Sequence, residues 1–341
     1  MTTHSQAADA TAGHGGAEAG GGHDGGHGGT KAIIAALLAN TGIAISKFVA
    51  FLVTGASSML AEAIHSVADA GNQVLLLVGG KRATRAATPQ HPFGFGRDRY
   101  IYAFIVAIVL FSVGGLFAVY EGVHKIQHPE PLESWAWAIG VLVVAIVLEG
   151  FSLRTAIHET AAVKSPDESY WQFIRHARSP ELPVILLEDV GALTGLTFAL
   201  FGVGIAAITG NGLYDGLGTL AIGLLLVAIA VVLAIETKSL LLGESATPED
   251  QRKIVAALEG GSPPISVIHM KTLHLGPDEV LVAPKIAVRH DETAASIARA
   301  IDEAEARVRA AVPIARSIYL EPDLRRPAEE PVPGSSAAPP V

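Results

Sequence analysis

Residues 57–80, SSMLAEAIHSVADAGNQVLLLVGG, decide the fold. Most of the stretch is apolar, yet it carries Glu62, His65, Asp69 and Asn72 at spacings of three, four and three residues. On an α-helix those spacings stack the four side chains along one side. An imidazole and a carboxylate four residues apart, His65 and Asp69, form half of a tetrahedral site for a divalent metal. Ionisable groups are costly inside a membrane span, so their presence in one marks an ion pathway. The stretch therefore predicts a membrane helix with a metal-handling face.

The rest of the 341-residue chain agrees with a membrane setting. Half of it is hydrophobic and the mean hydropathy is +0.42. Six apolar stretches, near 31–54, 58–80, 100–122, 134–157, 182–209 and 214–237, each reach the roughly 20 residues that a helix needs to cross a hydrocarbon core. A soluble protein with buried helices shows some runs of this kind and rarely six. The first 30 residues have no apolar core, so no cleavable signal peptide is expected. The absence of cysteine removes thiolate ligands and disulfides, leaving His, Asp and Glu as metal ligands. A net charge of −9 without a basic tract gives no sign of nucleic acid.

Loop charges set an orientation. Lys81, Arg82, Arg85, Arg97 and Arg99 follow the second stretch, and Lys164, Arg175 and Arg178 follow the fourth, with Arg154 at its edge. The opposite connections carry few cations, so both termini are expected in the cytoplasm. Residues 1–30 are rich in Gly, Ala and His (His4, His14, His23 and His27) and are expected to be disordered. They either hold metal weakly or merely solubilise the chain. The Pro-rich residues 326–341 are expected to be disordered as well.

Between the spans and that tail, residues 243–325 have the composition of a soluble domain. TPEDQRKIVAALEG opens with Thr247 as N-cap and Pro248 at the first helical position. ISVIHMKTLHLG and DEVLVAPKIAVRH read as strands joined by a turn at Gly276-Pro277-Asp278, ETAASIARAIDEAEARVRAAV as a helix, and ARSIYLEPD as a short closing strand. An α-β-β-α-β order suits a small open-faced sandwich whose exposed surfaces serve dimerisation. The fold class is thus a mainly α membrane protein: a transmembrane domain over 31–242, then a small α/β cytoplasmic domain.

TGASSMLAEAIHSVADAGNQ, HPFGFGRDRY and YDGLGTLAIGLLL, in that order and followed by such a domain, resemble the cation diffusion facilitator family over residues 30–325. LLEDVGAL and IYLEPD look closest to the branch containing a mitochondrial zinc transporter. The resemblance implies six transmembrane helices, a ferredoxin-like (metallochaperone-like) cytoplasmic domain, and a homodimeric exporter of zinc or a related divalent ion in exchange for protons. It makes His65 and Asp69 two ligands of the transport site. Family members usually draw two more from the fifth span, by His-xxx-Asp or Asp-xxx-Asp; here Asp189 matches the second position but Ile185 occupies the first. Glu188 is the candidate fourth ligand, although adjacent helical residues point about 100° apart. Zn²⁺ suits such a set, as do Co²⁺, Fe²⁺ and Mn²⁺.

Other positions have two readings each. His91 matches a loop position where some members hold a peripheral zinc, but Phe95 replaces the later histidine, which favours a structural loop. His269, His274 and His290 resemble ligand-rich strands only loosely, and Glu321-Pro322-Asp323 stands where many members have His-x-Asp, so the domain reads as a dimerisation module. Lys81 is either an interlocking contact at the dimer surface or a positive-inside anchor. Glu149 is a relay or a helix-end charge, Glu62 an orienter of His65, and Asn40 a hydrogen-bonding group between helices.

The expected mechanism is alternating access with proton antiport, because protons compete with metal for His65 and the carboxylates. No prosthetic group is expected, and no GxxxxGK[ST] suggests ATP-driven pumping. The rival class is a membrane metal sensor or scaffold without net transport, to which Ile185 gives weight. A metallohydrolase would want an HExxH helix, which the chain lacks. The Ala- and Gly-rich composition suggests a bacterial cytoplasmic membrane.

Overall fold

The computed structural model describes residues 25–130, 132, 135–261 and 265–324. Six long helices come first: α1 (Gly25–Thr54), α2 (Ser57–Ala83), a continuous helix over Asp98–Gln127, α5 (Trp135–Val163), α7 (Glu181–Thr209) and α8 (Leu213–Leu242). The third of them consists of α3 (Asp98–Val109), a π-helical segment (Leu110–Leu116) and α4 (Phe117–Gln127). A short helix, α6 (Tyr170–His176), lies between α5 and α7, started by a capping box of Ser169 and Gln172. Among the described residues, four helices are long and apolar enough to cross a membrane: Asp98–Gln127, α5, α7 and α8. α1 contributes a shorter apolar helical stretch, Asn40–Thr54. α2 falls short in hydropathy rather than length, because its 27 residues include the polar face and the terminal Lys81 and Arg82.

The polar and apolar surfaces of the bundle are reversed relative to a soluble protein. Glu62, His65, Asp69, Asn72 and Glu188 are buried, whereas Phe48, Val144, Phe151, Phe201, Ile208 and Leu224 are exposed. Large apolar side chains facing outward on several helices mark a lipid-facing surface, and the architecture is that of a multi-pass membrane protein. Inside, Met59, Leu110, Leu142, Leu196, Ile222 and Leu226 form the core. α1 packs on α2 and α5, α7 on α5, α2 and α8, and α4 on α8. The α4–α8 approach depends on small residues, the usual means of close helix contact in lipid. A Cβ at Gly223 would sit 2.5 Å from the Val119 backbone nitrogen.

Next comes a small sheet domain: α9 (Pro248–Glu259), β1 (Ser266–Gly276), β2 (Glu279–Val288), α10 (Ala294–Ala311), β3 (Ala315–Ile318) and β4 (Glu321–Leu324). Thr247 caps α9 by accepting from the Asp250 N–H, and Thr293 caps α10 by accepting from the Ser296 N–H. β1 runs antiparallel to β2, with Lys271 opposite Ala283, while β3 and β4 both lie parallel along the other edge of β2. ARSIYLEPD is therefore two short strands rather than one. The edge breaks at Tyr319-Leu320, where Tyr319 donates its N–H to the Val282 carbonyl between the two paired segments. Alternate residues of β2 (Val280, Val282, Ile286) are buried against Ile254 and Leu258 of α9 and Ala304 and Val308 of α10.

Charged pairs join this domain to the bundle. Arg99, at the start of α3, donates from Nε to Glu181 at 2.5 Å and from Nη1 to Asp278, in the β1–β2 turn, at 2.6 Å. Arg178 pairs with Glu244 and donates to the Ser245 carbonyl at 3.1 Å.

Candidate metal centre

The polar face of α2 is continuous and points inward, as its spacing requires. His65 Nε2 lies 3.5 Å from Asp69 Oδ2, one helical turn on. Another turn along, the Asn72 amide donates to Glu188 Oε1 of α7 at 2.6 Å. Asp189 turns the other way: its Oδ2 accepts from Ser152 of α5 at 3.0 Å. The two adjacent carboxylates thus face different helices, Glu188 toward α2 and Asp189 toward α5, as the 100° step dictates. Ile185, one turn before Asp189, packs with Leu153 against Ala156, Ile174 and Leu186. The position where the family resemblance implies a first ligand on this helix is an apolar contact between α5 and α7.

Burial without partners is concentrated here. Of nine buried side-chain polar atoms with no hydrogen-bond partner among the described residues, six belong to α2: Glu62 Oε1, His65 Nδ1 and Nε2, Asp69 Oδ1, Asn72 Oδ1 and Gln73 Oε1. Each such atom costs about 1–3 kcal/mol. A purely structural helix would replace them with apolar side chains; a helix that must present donor atoms to a cation keeps them.

Glu62 does not orient His65. Its Oε2 accepts from Lys47 Nζ of α1 at 3.0 Å, and Lys47 also donates to Ser66 Oγ at 2.8 Å. Both Lys47 and Glu62 are wholly buried. A buried carboxylate takes a full countercharge in preference to a neutral imidazole, because the ion pair offsets desolvation of both groups. The sequence reading missed Lys47, and its signal was a lone cation inside an otherwise apolar span. Gly195 on α7 makes room for the pair, since a Cβ there would lie 2.8 Å from Glu62 Oε1.

Glu149 is buried in the middle of α5, so it is no helix-end charge. It lines, with Lys47, Ser152 and the half-buried Asn40, a cavity of about 1090 Å³ between α1 and α5. At the head of α2, Asp215 of α8 accepts from the N–H of Ser58 at 3.3 Å and from its hydroxyl in a shorter bond. Lys81, at the other end of α2, makes no ion pair among the described residues.

The remaining candidate ligands are dispersed. His91 packs against Phe95 at a tilt, ring centroids 4.6 Å apart. His269 and His290 are exposed, while His274 is buried with Nδ1 3.1 Å from the Gly276 carbonyl. Burial holds the His274 pKa below the ordinary histidine value. His4, His14 and His23 lie outside the described residues, as does the tail beyond Leu324, and α1 begins at Gly25, within the Gly/His-rich stretch. Among the described residues, no three His, Asp or Glu side chains stand close enough together to hold a metal ion. His65 and Asp69 are paired; Glu188 and Asp189 are held apart by Asn72 and Ser152.

Residues 33–242, more than half of the chain, match the cation efflux transmembrane domain. The chain is 36% identical over 248 residues to the mouse mitochondrial proton-coupled zinc antiporter SLC30A9, covering 72% of this chain and 44% of that protein. It is 27% identical over 248 residues to metal tolerance protein C4 of Arabidopsis thaliana, covering 72% of this chain and 54% of that one. Over 112 residues it is 27% identical to the magnetosome protein MamM of Paramagnetospirillum magneticum, 31% of this chain and 35% of that one. The chain thus spans about half or less of the length of these curated relatives. A matched transmembrane domain, a bundle with an apolar exterior and a buried His65–Asp69 face together show that the chain belongs to the cation efflux, or cation diffusion facilitator, family.

Proposed function

We propose that this chain is a secondary active exporter that carries divalent cations, zinc foremost, in exchange for protons by alternating access. The observation that carries the reading is the polar face of α2, buried against α7 in a bundle whose outer surface is apolar. Zinc is favoured by the N/O donor set and by the similarity to an antiporter named for it; Co²⁺, Fe²⁺ and Mn²⁺ suit the same donors.

All six long helices span the membrane on this reading. α2 crosses because its polar face is turned away from lipid, and α1 because Lys47 carries its countercharge with it. The soluble domain lies on the side of the Arg-rich connections, since Arg99 and Arg178 pair with Asp278 and Glu244. The positive-inside rule makes that side cytoplasmic, along with both termini. The composition favours a bacterial cytoplasmic membrane. A homodimer is formed through the soluble domains and the bundle, with Lys81 available at the end of α2.

The metal is cargo: the sequence points to His65, Asp69 and Asp189 as its ligands with Glu188 as the fourth, and because Glu188 faces α2 whereas Asp189 faces α5, Glu188 is proposed to join His65 and Asp69 first, with Asp189 completing the set. Each must release its present partner or rotate toward the ion: Glu188 from Asn72, Asp189 from Ser152. Metal binding needs a neutral imidazole and ionised carboxylates, so protons on the far side displace the ion and return with the empty carrier. Lowering the pH on the metal-loading side is therefore expected to slow uptake, and lowering it on the release side to speed turnover.

A second reading, a membrane metal sensor or scaffold without net transport, has one specific support: Ile185 is packed as an apolar contact where a ligand would stand. Uptake of Zn²⁺, Co²⁺, Fe²⁺ and Mn²⁺ into proteoliposomes, with and without an imposed pH gradient, separates the two. Gradient-driven flux with zinc fastest supports the exporter; metal binding without flux of any of the four supports the sensor.

A further inference from the structure

The loop between α2 and α3 has a feature that metal transport does not use. Arg82, Arg85 and Arg97 line a cavity of about 380 Å³ in which Asp98 is the one acid. None of the three makes an ion pair among the described residues, whereas neighbouring Arg99 carries two. Two of them are nonetheless held against aromatic rings. The Arg85 guanidinium lies 4.1 Å from the centre of the Phe95 ring, and Arg82 lies 5.8 Å from that of Tyr102. His91 packs at a tilt on the same Phe95.

The surroundings of the cavity are amphiphilic. Phe93 and Ile101, 45% and 43% exposed, form its rim, and Leu275 of β1 closes it from the soluble domain. The cavity lies where α2 ends and α3 begins; on the function proposed above, on which this inference rests, both helices leave the hydrocarbon there. Oriented guanidiniums recognise phosphate oxygens by paired hydrogen bonds, and basic pockets at such a level take lipid headgroups. We infer that Arg82, Arg85 and Arg97 form a binding site for the phosphate headgroup of an acidic phospholipid, which would sit between the bundle and the soluble domain. Exposed apolar side chains on the rim favour a lipid over a free phosphate.

The test uses the full chain, delipidated in detergent and offered phosphatidylglycerol or phosphatidylcholine, with bound lipid counted by native mass spectrometry. Wild type should retain phosphatidylglycerol over phosphatidylcholine by at least about tenfold, and the Arg82→Gln/Arg85→Gln/Arg97→Gln protein should lose that preference. An Arg252→Gln/Lys253→Gln/Arg309→Gln protein, with the same charge change on the soluble domain, should keep it. Should the triple variant not fold, Arg85→Gln alone decides, and Arg85→Lys should recover part of the retention. Equal retention of both lipids by wild type, or undiminished retention after the triple substitution, overturns the inference. Binding of inorganic phosphate that needs these three arginines, with no retention of phosphatidylglycerol, overturns the lipid assignment in favour of a soluble phosphate ligand.

Discussion

A lysine inside a membrane-length helix must bring its countercharge with it, and Lys47 does so through Glu62 and Ser66. Breaking such a pair leaves one uncompensated buried charge. Lys47→Met is expected to cost about 3–5 kcal/mol, and Lys47→Met combined with Glu62→Gln to recover most of it; thermal unfolding in detergent of the two single variants and the double variant checks this. The carboxylates of α7 make a second comparison. Glu188→Gln is expected to weaken zinc binding by at least about tenfold and Asp189→Asn by less, because Glu188 already faces α2 whereas Asp189 faces Ser152. Calorimetric titration with zinc gives the order, and a larger loss for Asp189→Asn would place the centre nearer α5. The spacing of His65, Asp69 and Asn72 was legible in the sequence because helical geometry fixes which residues share a face. Lys47 was not, since hydropathy averaged over a span hides a single charge. Nor could the sequence say which neighbouring helix each of Glu188 and Asp189 meets.

At the scale of elements, close helix approach distinguishes two glycines. A Cβ at Gly223 would meet the backbone nitrogen of Val119, which cannot yield unless α4 and α8 separate, while one at Gly195 would meet the end of the Glu62 side chain. Gly223→Ala is therefore expected to lose about 1–3 kcal/mol by overpacking. Gly195→Ala should lose less stability but disturb the Lys47–Glu62 pair; melting temperatures of the two proteins, measured side by side, should fall in that order. The long helices were readable from apolar runs and the elements of the sheet domain from caps and alternation. The break between β3 and β4 was not, because it arises from registry along β2 rather than from any turn residue at Tyr319-Leu320.

For the molecule as a whole, the sheet domain carries its own response to acid. Burial keeps His274 below the ordinary histidine pKa in the folded state, so the unfolded chain binds more protons between the two values. Its stabilising contribution is complete above the unfolded value of about 6.5 and is lost as pH falls toward the folded one. Protection of the β1 amides, taken relative to their intrinsic exchange rates, should fall between neutral and mildly acidic pH, and His274→Asn should flatten that dependence; an unchanged slope would assign the acid response elsewhere. The pairs from Arg99 and Arg178 to Asp278 and Glu244 make the domain's stability relevant to the bundle.

The central claim is that the His65–Asp69 face of α2 moves metal. Its most direct test is zinc flux into proteoliposomes under a pH gradient, wild type against Asp69→Ala, with both proteins shown to be folded. The account predicts gradient-driven flux in wild type and its loss in the variant. Undiminished flux in Asp69→Ala, or no flux in folded wild type, would contradict it.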